Sequence, residues 1–595
     1  MGSAARGLST ALATSWRADS RRTAGVLVLS GLSSLTAVLL AFWLRRIVDA
    51  AVAGDERAAL AAAAGTGLTA GLGMLARTSV TAMMFPLKEH TGAYFDGRLI
   101  GLVSAIATVE HHERPDYLDR IAVLRDEAHM IAHAGVNTAG VLAVSIQMAV
   151  TGILLASVDA RLLALPLFAI PSFWAGSRAE RLRQQALDDT ADATRQARHL
   201  FELATSPAPG KELRVFGLGP ELLARHRATR RVVDAQLDAA ARRGVAYTAI
   251  GWLAFTAGYA GAVGIAASEA VAGRATVGDV VLALVLVAQV NAQVGEAVHV
   301  VATLARIVRV AGRYQWLIRY SAASRPERTS PAPVPERLTD GVALDGVAFR
   351  YPGTDADVLA GVDLHIPAGT TVAVIGDNGA GKSTLVKLLC RLHEPTGGFI
   401  SVDGIDVRRL DIDEWRARTS AAFQDFVRLE LAAGRTVGVG DLPRIDDDAA
   451  VATALERAAS SGVVAELPHG LGTQLGSSFD GGVELSGGQW QKLALARAMM
   501  RPSPLLLVLD EPTAALDAET EHALFARYAA AARAAAARTG AITVLVSHRF
   551  STVRMADLIV VLDGGRVAEA GSHDDLVARG GLYAQLHELQ ARSYR

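Results

Sequence analysis

Residues 372–384 read Val-Ala-Val-Ile-Gly-Asp-Asn-Gly-Ala-Gly-Lys-Ser-Thr. Four apolar residues of strand type lead into the spacing G-x-x-x-x-G-K-S, and an apolar helical pattern follows at 383–392. A strand before the motif and a helix after it is the context in which this spacing binds phosphate. Gly376, Asp377, Asn378, Gly379, Ala380 and Gly381 form a turn whose successive backbone N–H groups can close around phosphate oxygens. The helix starting near Lys382 adds the positive end of its dipole. Lys382 is placed to reach the β- and γ-phosphates, the Ser383 hydroxyl to ligate Mg²⁺, and Thr384 continues the same turn.

Strand and helix patterns alternate around this motif. Short apolar runs at 342–349, 372–375, 505–509, 542–546 and 558–562 have strand length, and helical patterns lie at 383–392, 489–500 and 518–538. Such alternation predicts an α/β domain with a mostly parallel sheet, here spanning 338–595. The 505–509 run ends in Asp510-Glu511. An acid pair at that edge of the sheet lies beside the phosphate loop, with Asp510 placed to hold Mg²⁺ and Glu511 to polarise an attacking water.

The rest of the chain has a different texture. Of 595 residues 51% are hydrophobic and 20% charged, against about 25% charged in ordinary soluble domains. Mean hydropathy is +0.27 and formal net charge −1, which argues against a disordered chain and gives no basic field for nucleic acid. A single cysteine, Cys390, excludes an intrachain disulfide framework and reads as a small buried hydrophobe. The apolar excess is gathered before residue 323, in runs near 23–44, 58–87, 134–158, 160–178, 244–268 and 277–300. A bilayer core of about 30 Å takes about 20 helical residues, so these are six spans. With the N-terminus inside, the inner segments before the fifth span carry 22 Lys and Arg and the outer ones five, which places both termini in the cytoplasm. About 22 residues precede the first span, which is too long for a signal-peptide core. The polar stretches 90–133 and 178–243 are too long for simple loops and predict two helical hairpins, with tips at 110–120 and 210–216. Residues 323–337, rich in Pro and Ser, read as a linker between domains 1–322 and 338–595.

Residues 485–489, Leu485-Ser486-Gly487-Gly488-Gln489, resemble the signature motif of ATP-binding cassette (ABC) proteins. The resemblance implies that this signature caps an ATP held on the phosphate loop of a second nucleotide domain. Tyr351 resembles the aromatic that stacks on adenine, and Gln424 in the run 421–425 resembles the glutamine that touches Mg²⁺ and senses the membrane domain. Asp517 resembles the acid of a loop that crosses the dimer interface, and His548 the histidine that contacts the γ-phosphate. Six spans followed by a cassette resemble an ABC half-transporter of exporter type: a membrane all-α six-helix domain, then an α/β P-loop NTPase domain. Residues 111–120 (HHERPDYLDR) and 210–216 (GKELRVF) then look like its two coupling helices.

The resemblance implies ATP and Mg²⁺ as cofactors, catalysis by Glu511, Gln424 and His548, and ATP-driven export of a small molecule, peptide or lipid across the plasma membrane. The partner is a second half-transporter, with a homodimer favoured because the phosphate, metal and catalytic positions are all present. An ATP-regulated channel or sensor is the alternative; intact catalytic residues favour the pump. The chain departs from the family at 476–484, where the usual Gly-Glu pair is absent and Glu484 or Asp480 would have to substitute. It departs also at Trp490, where a basic residue is common, and at Ala515. In the sixth span Gln289, Gln293 and Glu296 recur on one helix face and are the expected lining of a substrate pathway. Gly67 and Gly71 form a G-x-x-x-G pattern that predicts close helix packing.

Overall fold

A computed structural model describes residues 3–207, 209–324, 332–511, 518–547 and 549–593. It divides into two compact units. One comprises Met1–Val103 and Arg120–Tyr320, the other Ser104–Asp119 and Ser321–Arg595.

The first unit is helical. Among its described residues, six helices are long and apolar enough to cross a membrane: Ser20–Ala53, Glu56–Ser104, Ala134–Val158, Ala160–Asp189, Gly219–Val271 and Val277–Ala323. Except for Ala134–Val158, which matches its apolar run, they are longer than the apolar runs because polar residues continue the helices. Asp19 caps the first by accepting from Arg22 N–H, and Gly54 ends it at a φ of 73°. Small residues set the spacing. A Cβ on Gly251 would sit 2.8 Å from Ser172 Cα, and Ser172 Oγ donates to the Gly251 carbonyl at 2.7 Å. A Cβ on Gly258 would lie 2.5 Å from the Phe168 ring. The close packing expected at Gly67 and Gly71 falls elsewhere. Both face open space, while Gly65 meets Trp43 and Gly73 meets Thr36 of the first long helix.

The second hairpin is built in pieces. A helix runs to Asp189, a second covers Ala191–Thr205, a short turn of helix covers Gly210–Val215, and the return helix begins at Gly219. Val215 and Phe216 at this tip are exposed.

In the second unit the six-stranded sheet has the order β10-β9-β3-β8-β7-β6. Its strands are β3 (Thr371–Gly376), β6 (Thr419–Ala422), β7 (Leu506–Asp510), β8 (Ile542–Val546), β9 (Leu558–Asp563) and β10 (Arg566–Gly571). All neighbours are parallel except β10 with β9. A separate antiparallel sheet, β2-β1-β4-β5, uses β1 (Gly341–Phe349), β2 (Leu359–Pro367), β4 (Gly397–Val402) and β5 (Ile405–Asp406). The parallel sheet was expected; the antiparallel one corrects the picture of a single sheet. Its β2 alternates buried and exposed residues, the mark of a sheet with one wetted face. The helix after the phosphate loop is shorter than its apolar pattern. It spans Lys382–Leu389, and the chain leaves it at Arg391 with φ 53°. Cys390 is buried, and burial pushes its thiol up to about 12.

Candidate nucleotide site

Three parallel strands end on one side of the sheet and supply the site. β3 runs into the phosphate loop, β7 ends at Asp510, and β8 ends at Val546. The loop depends on its glycines. Gly376 has a φ of 150° and a Cβ there would meet the Leu562 carbonyl at 2.2 Å. Gly381 has a φ of 100° and a Cβ would meet Leu359 at 2.6 Å. Side chains therefore cannot be added without moving the strand beside the loop. Lys382 Nζ lies across this turn, donating to the Gly376 carbonyl at 2.8 Å and the Asp377 carbonyl at 2.9 Å.

A cavity of about 450 Å³ opens over the loop. Its lining joins Asn378, Gly379, Gly381, Lys382, Ser383 and Thr384 to Tyr351, Gln424, Asp510 and Glu511. That volume is in the range of small-molecule sites. Gly376 and Ala380 form the inner wall of the turn; Ala380 is buried. Val358 and Val546 complete the lining, and their strand-like surroundings gave no signal in the sequence.

The acid pair is asymmetric. Asp510 is 6% exposed, and burial, then Glu511 and Asp425, raise its pKa to about 6. Its Oδ1 is buried with no hydrogen-bond partner among the described residues. An orphaned buried carboxylate oxygen beside the Ser383 hydroxyl fits a divalent cation, so Ser383, Asp510 and Gln424 suit Mg²⁺. Glu511 has a φ of 45°, rare for a residue with a side chain. Its N–H donates to the Val546 carbonyl at 3.0 Å, and Gln491 Nε2 donates to its carbonyl at 3.3 Å. Gln424 Nε2 donates to its carboxylate at 2.7 Å. Gln491 is a contact of Glu511 that sequence reasoning missed; it follows the signature by two positions.

Tyr351 stands at the other end. Its hydroxyl is 3.1 Å from Thr384 Oγ1, and its ring meets Phe349 edge-on at 5.0 Å. The signature lies apart from these groups. Ser486 caps the helix Gly487–Ala498 through a capping box with Gln489, and Leu485 is buried. None of the described residues lining the cavity comes from 485–489. Added Cβ atoms on Gly487 and Gly488 would meet nothing, so these glycines are not required by packing within the chain. Asp517 and His548 lie outside the described residues. Trp490 is a core residue, and its indole donates to Glu484 Oε1 at 3.2 Å. Glu484 is thereby engaged within its own unit.

A family model for the ABC transporter matches residues 359–514. This segment is an ABC transporter domain. An ATP-dependent lipid A-core flippase of Chromohalobacter salexigens is 39% identical over 265 residues, covering 44% of this chain and 44% of that relative. A flippase of the same name from Cupriavidus pinatubonensis is 41% identical over 256 residues, covering 43% and 42%. The chain thus matches under half the length of these curated relatives. The structure of a bacterial Atm1-family ABC exporter with ATP bound matches with a TM-score of 0.77 at 25% identity, covering 96% of this chain and 99% of that one. The chain has the architecture of an ABC exporter half-transporter.

In the first unit the three polar residues of the sixth span separate. Gln293 is buried and donates to Thr151 Oγ1 at 3.0 Å; Gln289 donates to the Ala37 carbonyl at 3.2 Å. Both tie helices together, while Glu296 is exposed.

Proposed function

We propose that two copies of this ABC half-transporter together export an amphipathic, lipid-like substrate across a bacterial plasma membrane, driven by ATP. The observation that carries the reading is the cavity itself. It gathers Lys382, Ser383, Asp510, Glu511 and Gln424, yet takes nothing from 485–489 among the described residues. A signature turn with open space around its glycines is then free to close on another chain's cavity. The exposed Val215 and Phe216 suit docking on a second nucleotide domain. The arginine distribution supports a cytoplasmic position for both termini and the nucleotide domain.

Within the site, Tyr351 offers its ring to the base, and the loop N–H groups with Lys382 hold the phosphates. Gln424 and the strained backbone fix the Glu511 carboxylate, which polarises the attacking water and accepts its proton. Mg²⁺, held by Ser383, Asp510 and Gln424, would neutralise phosphate charge. Exposed Glu296 stands as the proposed contact along the pathway. The flippase relatives support the lipid-like class of substrate.

Reconstitution tests the reading. Purified protein in proteoliposomes should move a headgroup-labelled lipid between leaflets only with MgATP. ATP hydrolysis without ATP-dependent movement of lipid, peptide or drug probes would contradict it.

A further inference from the structure

The segment Ser104–Asp119 belongs to the nucleotide-binding unit, although the chain places it between the second and third membrane-length helices. Backbone contacts hold it there. Val109 N–H donates to the Leu392 carbonyl at 2.9 Å, and Arg416 Nη2 donates to the Ala107 carbonyl at 2.5 Å and the Arg391 carbonyl at 2.7 Å. One side chain of the segment reaches further. The two carboxylate oxygens of Glu113 face two different groups: Lys387 Nζ at 2.9 Å and His393 Nε2 at 3.1 Å. His393 is buried, and its ring lies 5.0 Å from Phe349 and 5.7 Å from Tyr351. Lys387 lies 3.4 Å from the Tyr351 hydroxyl and 5.2 Å from its ring centre. Among the described residues that hydroxyl also meets Thr384, which lies one helical turn before Lys387 in the helix that follows the phosphate loop.

We infer that Glu113 is a positioning residue for Tyr351. Resting on the reading of Tyr351 as the base platform, it sets nucleotide affinity from the intracellular segment through Lys387 and His393. Among the described residues, Phe349, His393 and Lys387 lie against the ring and Thr384 meets its hydroxyl, four contacts that fix its placement. One carboxylate accepts a hydrogen bond from Lys387 and places its other oxygen 3.1 Å from His393 Nε2. Burial opposes charge on Lys387, but Glu113 and Tyr351 outweigh it and hold its pKa above the ordinary value. A charged hydrogen bond at a partly buried position is stronger and more directional than a neutral one. Removing the Glu113 charge leaves Lys387 free to leave the ring face and His393 free to tilt. Displacement of the Ser104–Asp119 segment would do the same, so its docking and base binding are linked and each favours the other.

The experiment is a double-mutant cycle on the full chain in lipid, read as KM and kcat for MgATP. Glu113→Gln should raise KM by about fivefold and leave kcat within about twofold. Tyr351→Ala should raise KM by at least as much, and adding Glu113→Gln to it should change nothing further. Lys387→Arg should keep most of the affinity, and Lys387→Met should lose it. An unchanged KM in Glu113→Gln, or additive effects in the double variant, would overturn the positioning role while leaving the site reading intact. An unchanged KM in Tyr351→Ala would overturn both. A purely mechanical role for Glu113 would instead lower substrate-stimulated turnover at constant KM, and that outcome also overturns the inference.

Discussion

Gln424 Nε2 donates to Glu511 Oε2 across 2.7 Å, joining the loop after β6 to the end of β7 above the phosphate loop. A side-chain amide here restricts the carboxylate to one orientation, which general-base chemistry requires. Supporting contacts of this kind are worth about 10–100-fold in activity. Gln424→Ala should therefore lower ATP turnover by about tenfold or more, with a smaller change in MgATP affinity. Steady-state ATPase with a nucleotide-binding isotherm checks the split.

Lys382 now spends its ammonium on two carbonyls of its own loop. Phosphate oxygens are better acceptors for that charge. Losing a charged hydrogen bond costs about 1.5–3 kcal/mol, so Lys382→Ala should weaken ATP binding by about tenfold or more. Isothermal titration with MgATP measures it.

Trp490, on the helix Gly487–Ala498 that the signature begins, enters the core at 1% exposure and donates to Glu484. Trp490→Ala should cost about 3–5 kcal/mol of stability in the nucleotide-binding unit. Trp490→Phe should cost less, because most of the ring volume stays. Thermal melting followed by near-ultraviolet circular dichroism separates the two.

His111 is buried in the Ser104–Asp119 segment between His112 at 4.0 Å and Tyr117 at 4.9 Å. Burial first, then His112, pull its pKa from 6.5 down to about 4. Burial also holds His393 below its ordinary value. A neutral buried imidazole contributes docking stability that is complete above about pH 6.5. It is lost progressively as pH falls toward 4, because the undocked form takes up the proton first. Amide exchange of residues 104–119 should accelerate over that window. His111→Phe should flatten the dependence and leave the His393 part.

Much of this architecture was legible because strong local signals agreed with the global fold. The phosphate loop needs glycines where φ is positive, and Gly376 and Gly381 advertise that need. The six spans were legible because a bilayer imposes length and apolarity together. Residues 412–498 were harder, since that part of the cassette is made of short helices around Trp415 and Trp490 with no sustained period. The resemblance implied that the 111–120 tip docks on a nucleotide domain, but not which residues receive the segment Ser104–Asp119. The segment rests on partners such as Leu392 and Arg416, roughly 300 residues away in the chain. For the stripe Gln289, Gln293 and Glu296 the shared helical phase was clear, but phase alone does not name partners; Gln293 bonds Thr151 and Gln289 bonds the Ala37 carbonyl.

The central claim is that the cavity bounded by the phosphate loop, Asp510 and Glu511 hydrolyses ATP. Steady-state ATPase of purified Glu511→Gln protein in lipid, beside its MgATP affinity, tests it most directly. The account predicts a fall in turnover of about 10²–10⁴-fold with MgATP still bound. Turnover equal to that of the unaltered protein would contradict it.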